Sequence, residues 1–272
     1  MIWHCQGDEN MVDLKKETYG FEDLQKIMAH LRQPEGGCPW DAAQTHASIR
    51  KNFIEEAYEV CEAIDRKDNA LLCEELGDTL FQVVFHTRIA EEEGAFSMDD
   101  VTSGICKKMI ERHPHVFGTH EKLEKPEDTY NVWDAVKAQE KSQKTYTDAM
   151  NDVAKTLPAL MYAEKVQGRA KKSGFDWPAV SGAMEKIREE TAELQECLDQ
   201  GRDIQEELGD LLFAAVNVAR MQDVDPEEAL LRATQKFMKR FALVEQKAGT
   251  ALKTMSIDEM TALWKQAKEE TR

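Results

Sequence analysis

A chain of 272 residues with a formal charge of −17 is a poor partner for DNA or for an anionic membrane surface, because both would repel it. Hydrophobic residues make up 42%, enough for packed cores, and only 7 prolines and 14 glycines speak against a loop-rich fold. The six cysteines (Cys5, Cys38, Cys61, Cys73, Cys106 and Cys197) form no C-x-x-C pair, and no apolar run reaches the roughly 18 residues of a membrane span. The N-terminus shows no basic region followed by an apolar one, so a cytoplasmic protein with reduced thiols is expected.

Residues 1–18 carry no periodicity and are expected to form a tail. From Phe21, the positions Leu24, Ile27, Met28 and Leu31 recur at helical spacing until Glu35-Gly36-Gly37. Cys38-Pro39-Trp40-Asp41 reads as a turn with an aromatic anchor. Helices are predicted over 46–66 and 70–93, with the polar Lys67-Asp68-Asn69 between them and Gly94 as the stop. Ser97 followed by Asp99 and Asp100 reads as an N-cap for a helix to 111, which His113-Pro114-His115 breaks. A loop to 127, a helix over 128–144 and a connection to Leu157-Pro158 complete the first half.

The second half repeats the plan. A helix over 158–173 ends at Gly174, and Phe175-Asp176-Trp177-Pro178 takes the place of Cys38-Pro39-Trp40-Asp41. Helices follow over 180–199 and 204–221. Asp225 and Pro226 open another, to 247, and a last one spans 256–270. No strand pattern stands out. The reading is all-α, with a tail at 1–18 and two similar domains at 19–145 and 146–272.

Each half carries an E-E-x-x-E segment followed by E-E-L-G-D. An apolar residue is followed by an acid three residues on and another three further, in Phe53/Glu56/Glu59, Leu72/Glu75/Asp78, Ile187/Glu190/Glu193 and Ile204/Glu207/Asp210. At about 100° per residue, the first acid of each pair lies roughly 60° from the apolar stripe and the second roughly 120°. All four pairs occupy the same shoulder. If the two helices of a copy pack antiparallel, four carboxylates converge. Each like-charge pair at about 4 Å would then cost on the order of 4 kcal/mol at an effective dielectric near 20. Such a cluster calls for a cation. Oxygen-only ligands select a hard one, Mg²⁺ first and Mn²⁺ second. Gly77 and Gly209, ahead of the last acids, are expected to allow close helix packing; one glycine is no phosphate-binding loop.

Basic and aromatic residues recur too. Lys108 and Arg112 correspond to Lys236 and Arg240, and Trp133 and Lys137 to Trp264 and Lys268, each pair four residues apart on one helix face. A cation held by carboxylates can bridge phosphate oxygens, Lys and Arg can pair with the rest, and Trp offers a flat face to a base. The ligand this set fits is a nucleoside polyphosphate. His46, His86, His113, His115 and His120 have no counterparts in the second half and are expected to be structural or surface residues.

The chain resembles the MazG family of nucleoside triphosphate pyrophosphohydrolases. The resemblance rests on Gly36-Gly37-Cys38-Pro39-Trp40-Asp41, the paired acidic segments, Arg112-His113-Pro114-His115-Val116-Phe117 and Gly174-Phe175-Asp176-Trp177. It covers nearly everything after residue 20. It implies tandem MazG-like domains with four-helix-bundle-like cores completed by homodimerisation or higher assembly. It also implies Mg²⁺-dependent hydrolysis of nucleoside triphosphates such as ATP to the monophosphate and diphosphate, mainly in the C-terminal copy. Carried over by position, it assigns magnesium to Glu190, Glu193, Glu207 and Asp210, and nucleotide contacts to Lys236, Arg240, Trp264 and Lys268. Glu189 and Glu206 would line the site, and either could take a proton from water attacking the α-phosphorus. The N-terminal copy keeps Glu56, Glu59, Glu75, Asp78, Lys108, Arg112, Trp133 and Lys137 as a second candidate site.

A ferritin-like di-iron protein is a rival in fold, but it needs Glu-x-x-His, and here the third position is Glu or Asp each time. A helical dimer that binds or senses nucleotides without hydrolysing them is the rival in function. Pyrophosphate release separates it from the enzyme.

Overall fold

The computed structural model describes residues 16–118, 129, 132, 133, 136 and 145–271. The chain divides into two compact units, Met1–Val136 and Lys137–Arg272. Among the described residues every regular element is helical.

The first unit contains α1 (Phe21–Leu31), α2 (Pro39–Ala42), α3 (Arg50–Arg66), α4 (Asn69–Glu92), α5 (Met98–Arg112) and α6 (Pro114–Phe117). Lys67, in the left-handed region at φ 55°, ends α3, and the Asp68 side chain accepts from the Ala70 and Leu71 amides to start α4. With so short a connection, two long helices that pack together run antiparallel. Ser97 caps α5 in a reciprocal box with Asp100. Residues 46–49, expected in α3, form turns instead; the Thr45 carbonyl accepts from the Ser48 and Ile49 amides. Thr129, Val132, Trp133 and Val136 are helical, and the rest of the helix expected over 128–144 lies outside the described residues.

Met28, Ile49, Val84, Phe85, Ile89 and Met98 form the core of this unit. Arg32 locks its edge. The guanidinium donates to the Asp41 and Gln44 carbonyls at 2.5 and 3.2 Å and pairs with Glu92 at 2.7 Å, which ties the Cys38-Pro39-Trp40-Asp41 segment to the end of α4. Gly37 is required here because a Cβ would fall 2.4 Å from the Gln33 carbonyl oxygen.

The second unit contains α7 (Tyr146–Asn151), α8 (Ala159–Lys171), α9 (Val180–Asp199), α10 (Gln205–Met221), α11 (Pro226–Ala248), a 3-10 turn at Gly249–Thr254 and α12 (Ile257–Glu270). The sequence reading took α7 for a connection, although Thr145 and Asp148 form a capping box. Asp225 caps α11 ahead of Pro226, and Ser256 boxes with Glu259 at α12. Pro158 gives α8 no side-chain cap. Instead Glu227, from the first turn of α11, accepts from the Leu160 and Met161 amides at 3.2 and 3.4 Å.

Small residues fill this interior: Ala183, Cys197, Ala214, Val216, Val244 and Ala267 are buried. Large ones stay out. Leu208, Leu212 and Phe213 on α10, and Leu230, Leu231, Phe237, Met238 and Phe241 on α11, are all exposed. The glycine expectation needs correcting: a Cβ at Gly77 or Gly209 would meet nothing within 4 Å. Both lie on open helix faces, so packing within the chain does not require them.

Candidate functional site

The hairpin of α9 and α10 brings together the acids read from the sequence. Carboxylate oxygens of Glu190, Glu193 and Glu207 lie within 4.8 Å of one another. Asp210, one turn beyond Glu207, is exposed and stands outside the trio. The α3–α4 hairpin gathers a different three of its four, Glu56, Glu75 and Asp78, and leaves Glu59 at the edge. Register thus decides that the shoulders meet. Side-chain placement decides which three acids touch.

In the second unit the cluster has one closed and one open end. Glu190 is 3% exposed. One of its oxygens accepts from Lys186 Nζ at 2.6 Å; the other, Oε2, is buried with no hydrogen-bond partner among the described residues. Lys186 also pairs with Glu189 at 2.9 Å. The hydrogen bonds it donates to Glu190 and then Glu189 hold its ammonium well above the usual lysine range. Partial desolvation, then the Glu190 and Glu207 charges, raise the Glu193 carboxyl above its ordinary 4.5. In the first unit Glu56 is raised by desolvation and Asp78, and Glu75 by desolvation and Glu59.

A buried carboxylate oxygen without a donor is costly, on the order of 1–3 kcal/mol or more for a charged group. Three carboxylates share one ammonium that also serves Glu189, so negative charge is left over. A hard divalent cation answers both, since it accepts oxygen ligands and matches the charge. The donor set therefore fits Mg²⁺ or Mn²⁺, with Glu190, Glu193 and Glu207 as the residues already placed to hold it.

Lys186 was missed in the sequence reading. Its signal was available: it stands four residues before Glu190, the spacing of a helical ion pair, but such pairs are ordinary on helix surfaces. Only the burial of Glu190 sets this one apart.

The basic and aromatic set gathers where α11 meets α12. Trp264 lies on Phe237 with ring centroids 5.1 Å apart, and Phe237 stacks on Phe241. Arg240 Nε donates to Thr271 Oγ1 at 2.9 Å. Beside it is a cavity of about 410 Å³ lined by Arg240, Lys265, Lys268 and Glu269. Lys236 is exposed. Among the described residues no hydrogen bond or ion pair joins this set to the carboxylates. In the first unit Arg112 is 8% exposed and its guanidinium sits 5.2 Å from the Trp133 ring centroid. Trp133 also meets His113 edge-on. Lys108 is exposed, and Lys137 lies outside the described residues.

His46, His86 and His113 make contacts within the first unit, whereas His115 Nδ1 is buried with no hydrogen-bond partner among the described residues. His46 and His86 stack with Nδ1 atoms 2.8 Å apart, and His113 Nδ1 bonds the Met109 carbonyl at 2.6 Å. His120 lies outside the described residues.

Fold and site together define an all-α protein in which each unit presents a helical hairpin of converging carboxylates, followed in the second unit by a basic and aromatic helix pair. A family model described as the MazG nucleotide pyrophosphohydrolase domain matches twice, at 44–117 and 180–244, over α3–α6 and α9–α11. The chain is 46% identical over 258 residues to the nucleoside triphosphate pyrophosphohydrolase/pyrophosphatase MazG of Thermotoga maritima, covering 94% of this chain and 98% of that protein. It is 41% identical over 255 residues to a nucleoside triphosphate pyrophosphohydrolase of Escherichia coli, covering 91% and 96%. The chain belongs to the MazG family.

Proposed function

We propose that this chain is a divalent-cation-dependent nucleoside triphosphate pyrophosphohydrolase, converting nucleoside triphosphate and water to the monophosphate and diphosphate, with the second unit as its main site. The observation that carries this reading is Glu190 Oε2, a buried carboxylate oxygen without a donor inside an acidic trio. The names of the Thermotoga maritima and Escherichia coli relatives supply the reaction class.

Glu190, Glu193 and Glu207 would hold the cation, and Asp210, one turn along α10 from Glu207, would be a further ligand. Mg²⁺ is the first choice. When bound, it neutralises charge on phosphate oxygens and makes water more acidic. Lys186 holds Glu190 in place through its contact with Oε1. Arg240, Lys265 and Lys268 line a cavity suited to the departing diphosphate, and Lys236 adds a cation one turn before Arg240. Trp264, set against Phe237 on the same helix pair, contacts the nucleotide's sugar. Glu206 at the start of α10, or the Glu189 oxygen not engaged by Lys186, accepts the proton of the water that attacks the α-phosphorus.

Preference for the second unit rests on the basic residues. Arg240 borders an open cavity, whereas Arg112 is packed against Trp133. The exposed apolar faces of α10 and α11 point to a second copy as partner, and the acidic surface to small anions rather than nucleic acid. No described helix is long and apolar enough to cross a membrane, in keeping with a cytoplasmic location.

The test is a coupled diphosphate-release assay with ATP and dTTP, with and without Mg²⁺. Release that requires the cation and disappears with chelator is expected. Nucleotide-dependent melting without release would establish the non-catalytic binding reading in its place.

A further inference from the structure

The segment Gly174-Phe175-Asp176-Trp177 has no part in the site so far. It walls a cavity of about 290 Å³ between α8 and α10. That size is at the low end for a ligand pocket and suits one heterocycle better than a whole nucleotide. Its walls are aromatic. Phe175 is 82% exposed, so packing does not explain it, and Trp177 and Phe213 face the same space. Trp177 is set against the first turn of α9 by Gly182, where a Cβ would come within 2.7 Å of its ring.

Two amides supply polarity, and their orientations are determined by their partners. Gln167 Nε2 donates to the Phe213 carbonyl at 2.8 Å, so Oε1 is its free end; that oxygen is buried and has no partner among the described residues. Gln167 itself is 7% exposed. Asn217 Oδ1 accepts from Arg220 Nε and Nη2 at 3.2 and 2.6 Å, so its amide nitrogen remains a donor. Asp176 is satisfied by the same arginine, at 2.5 and 3.2 Å, and by the Trp177 amide. What the cavity lacks is a group with an N–H for Gln167 and an acceptor for Asn217, flat enough for the aromatic walls.

We infer that this cavity receives the base of the nucleoside triphosphate and sets base preference. The inference rests on the pyrophosphohydrolase reading. Every nucleobase carries a ring N–H or amino donor beside an acceptor. Position agrees as well: Phe213 and Asn217 stand three and seven residues after Asp210, on the same face of α10, about 5–10 Å along the helix axis. A ribose bridges that gap between base and α-phosphate.

The variants are Phe175→Ala, at an exposed position that tolerates truncation, and Gln167→Met, which removes the unpaired acceptor at similar volume. Loss of one stacking face should raise KM for ATP roughly tenfold. Inhibition by inorganic tripolyphosphate, which has no base, should change less than about twofold. The order of kcat/KM among ATP, GTP, CTP and UTP should change with Gln167→Met. Saturation-transfer NMR with adenosine, guanosine, cytidine and uridine, without metal, reads the cavity independently of turnover. Transfer in the parent protein that is lost in Phe175→Ala supports the inference. No transfer to any nucleoside, an unchanged KM, or KM and tripolyphosphate inhibition moving together would overturn it. If ATP gives no diphosphate at all, the proposed reaction fails instead, and nucleoside transfer still reports on the cavity.

Discussion

Glu193 is where like charge and function meet most directly. Replacing it with Gln should cut diphosphate release at least about a hundredfold, the scale of losing one electrostatic contact to the transition state. The same substitution removes repulsion with Glu190 and Glu207, so thermal melting in chelator should rise, and Mg²⁺ should no longer add to it. Retained turnover would remove Glu193 from the cation's shell. The Asp176–Arg220 pair gives a separate, acid-side reading. The hydrogen bond from Arg220 holds the Asp176 carboxyl below its ordinary 3.8. A depressed folded value means that the pair stabilises above pH 3.8 and stops doing so as pH falls through the lower folded value. Both side chains are largely buried, at 9% and 17% exposed. Arg220→Met should therefore cost about 3 kcal/mol near neutrality, and its urea midpoint should converge on that of the parent protein in strong acid. At this scale the sequence was legible for the acids, whose spacing to apolar residues is local. Lys186 and Gln167 were not, because their significance lies in what surrounds them.

At the scale of the helix, Ser97 and Asp225 were legible as residues that cap their own turn, whereas the box of Thr145 with Asp148 was not. Asp68, Ser97, Asp225 and Ser256 all cap helices in the structure, each through a bond to an amide two or three residues away. Ser256→Ala should cost about 1 kcal/mol, seen as a lower melting temperature of the second unit, with α12 fraying first in hydrogen exchange. The start of α8 was placed within a residue by periodicity, but what satisfies its first amides was not legible, since the acceptor, Glu227, lies 67 residues away. Glu227→Ala should expose the Leu160 and Met161 amides to faster exchange, whereas Glu227→Gln, which keeps an acceptor, should leave them protected. The α3 boundary slipped for a related reason: residues 46–49 have helical composition, yet the turn at Thr45 and the burial of Ile49 take precedence over local propensity.

The whole molecule shows a contrast between its halves. The first unit closes around Met28, Ile49 and Phe85, each nearly inaccessible, while the second buries mainly alanine, valine and cysteine; both leave large apolar residues exposed. So much exposed apolar surface on α10 and α11 calls for cover. Met238→Asp, at a 64% exposed position, should move the protein to a smaller species in sedimentation. A parent protein that already sediments as a monomer would defeat that expectation. Helical class, tandem plan and the shoulder on which the acids stand followed from the sequence alone, because 3.6-residue periodicity and capping chemistry act within a few residues of chain. Which three carboxylates meet, that Glu190 is buried with an oxygen unpaired, that Arg112 packs on Trp133 while Arg240 borders a cavity, and that Gln167 faces an aromatic-walled pocket were decided only by tertiary structure. Each depends on how separate helices come to rest against one another, and no local pattern records that.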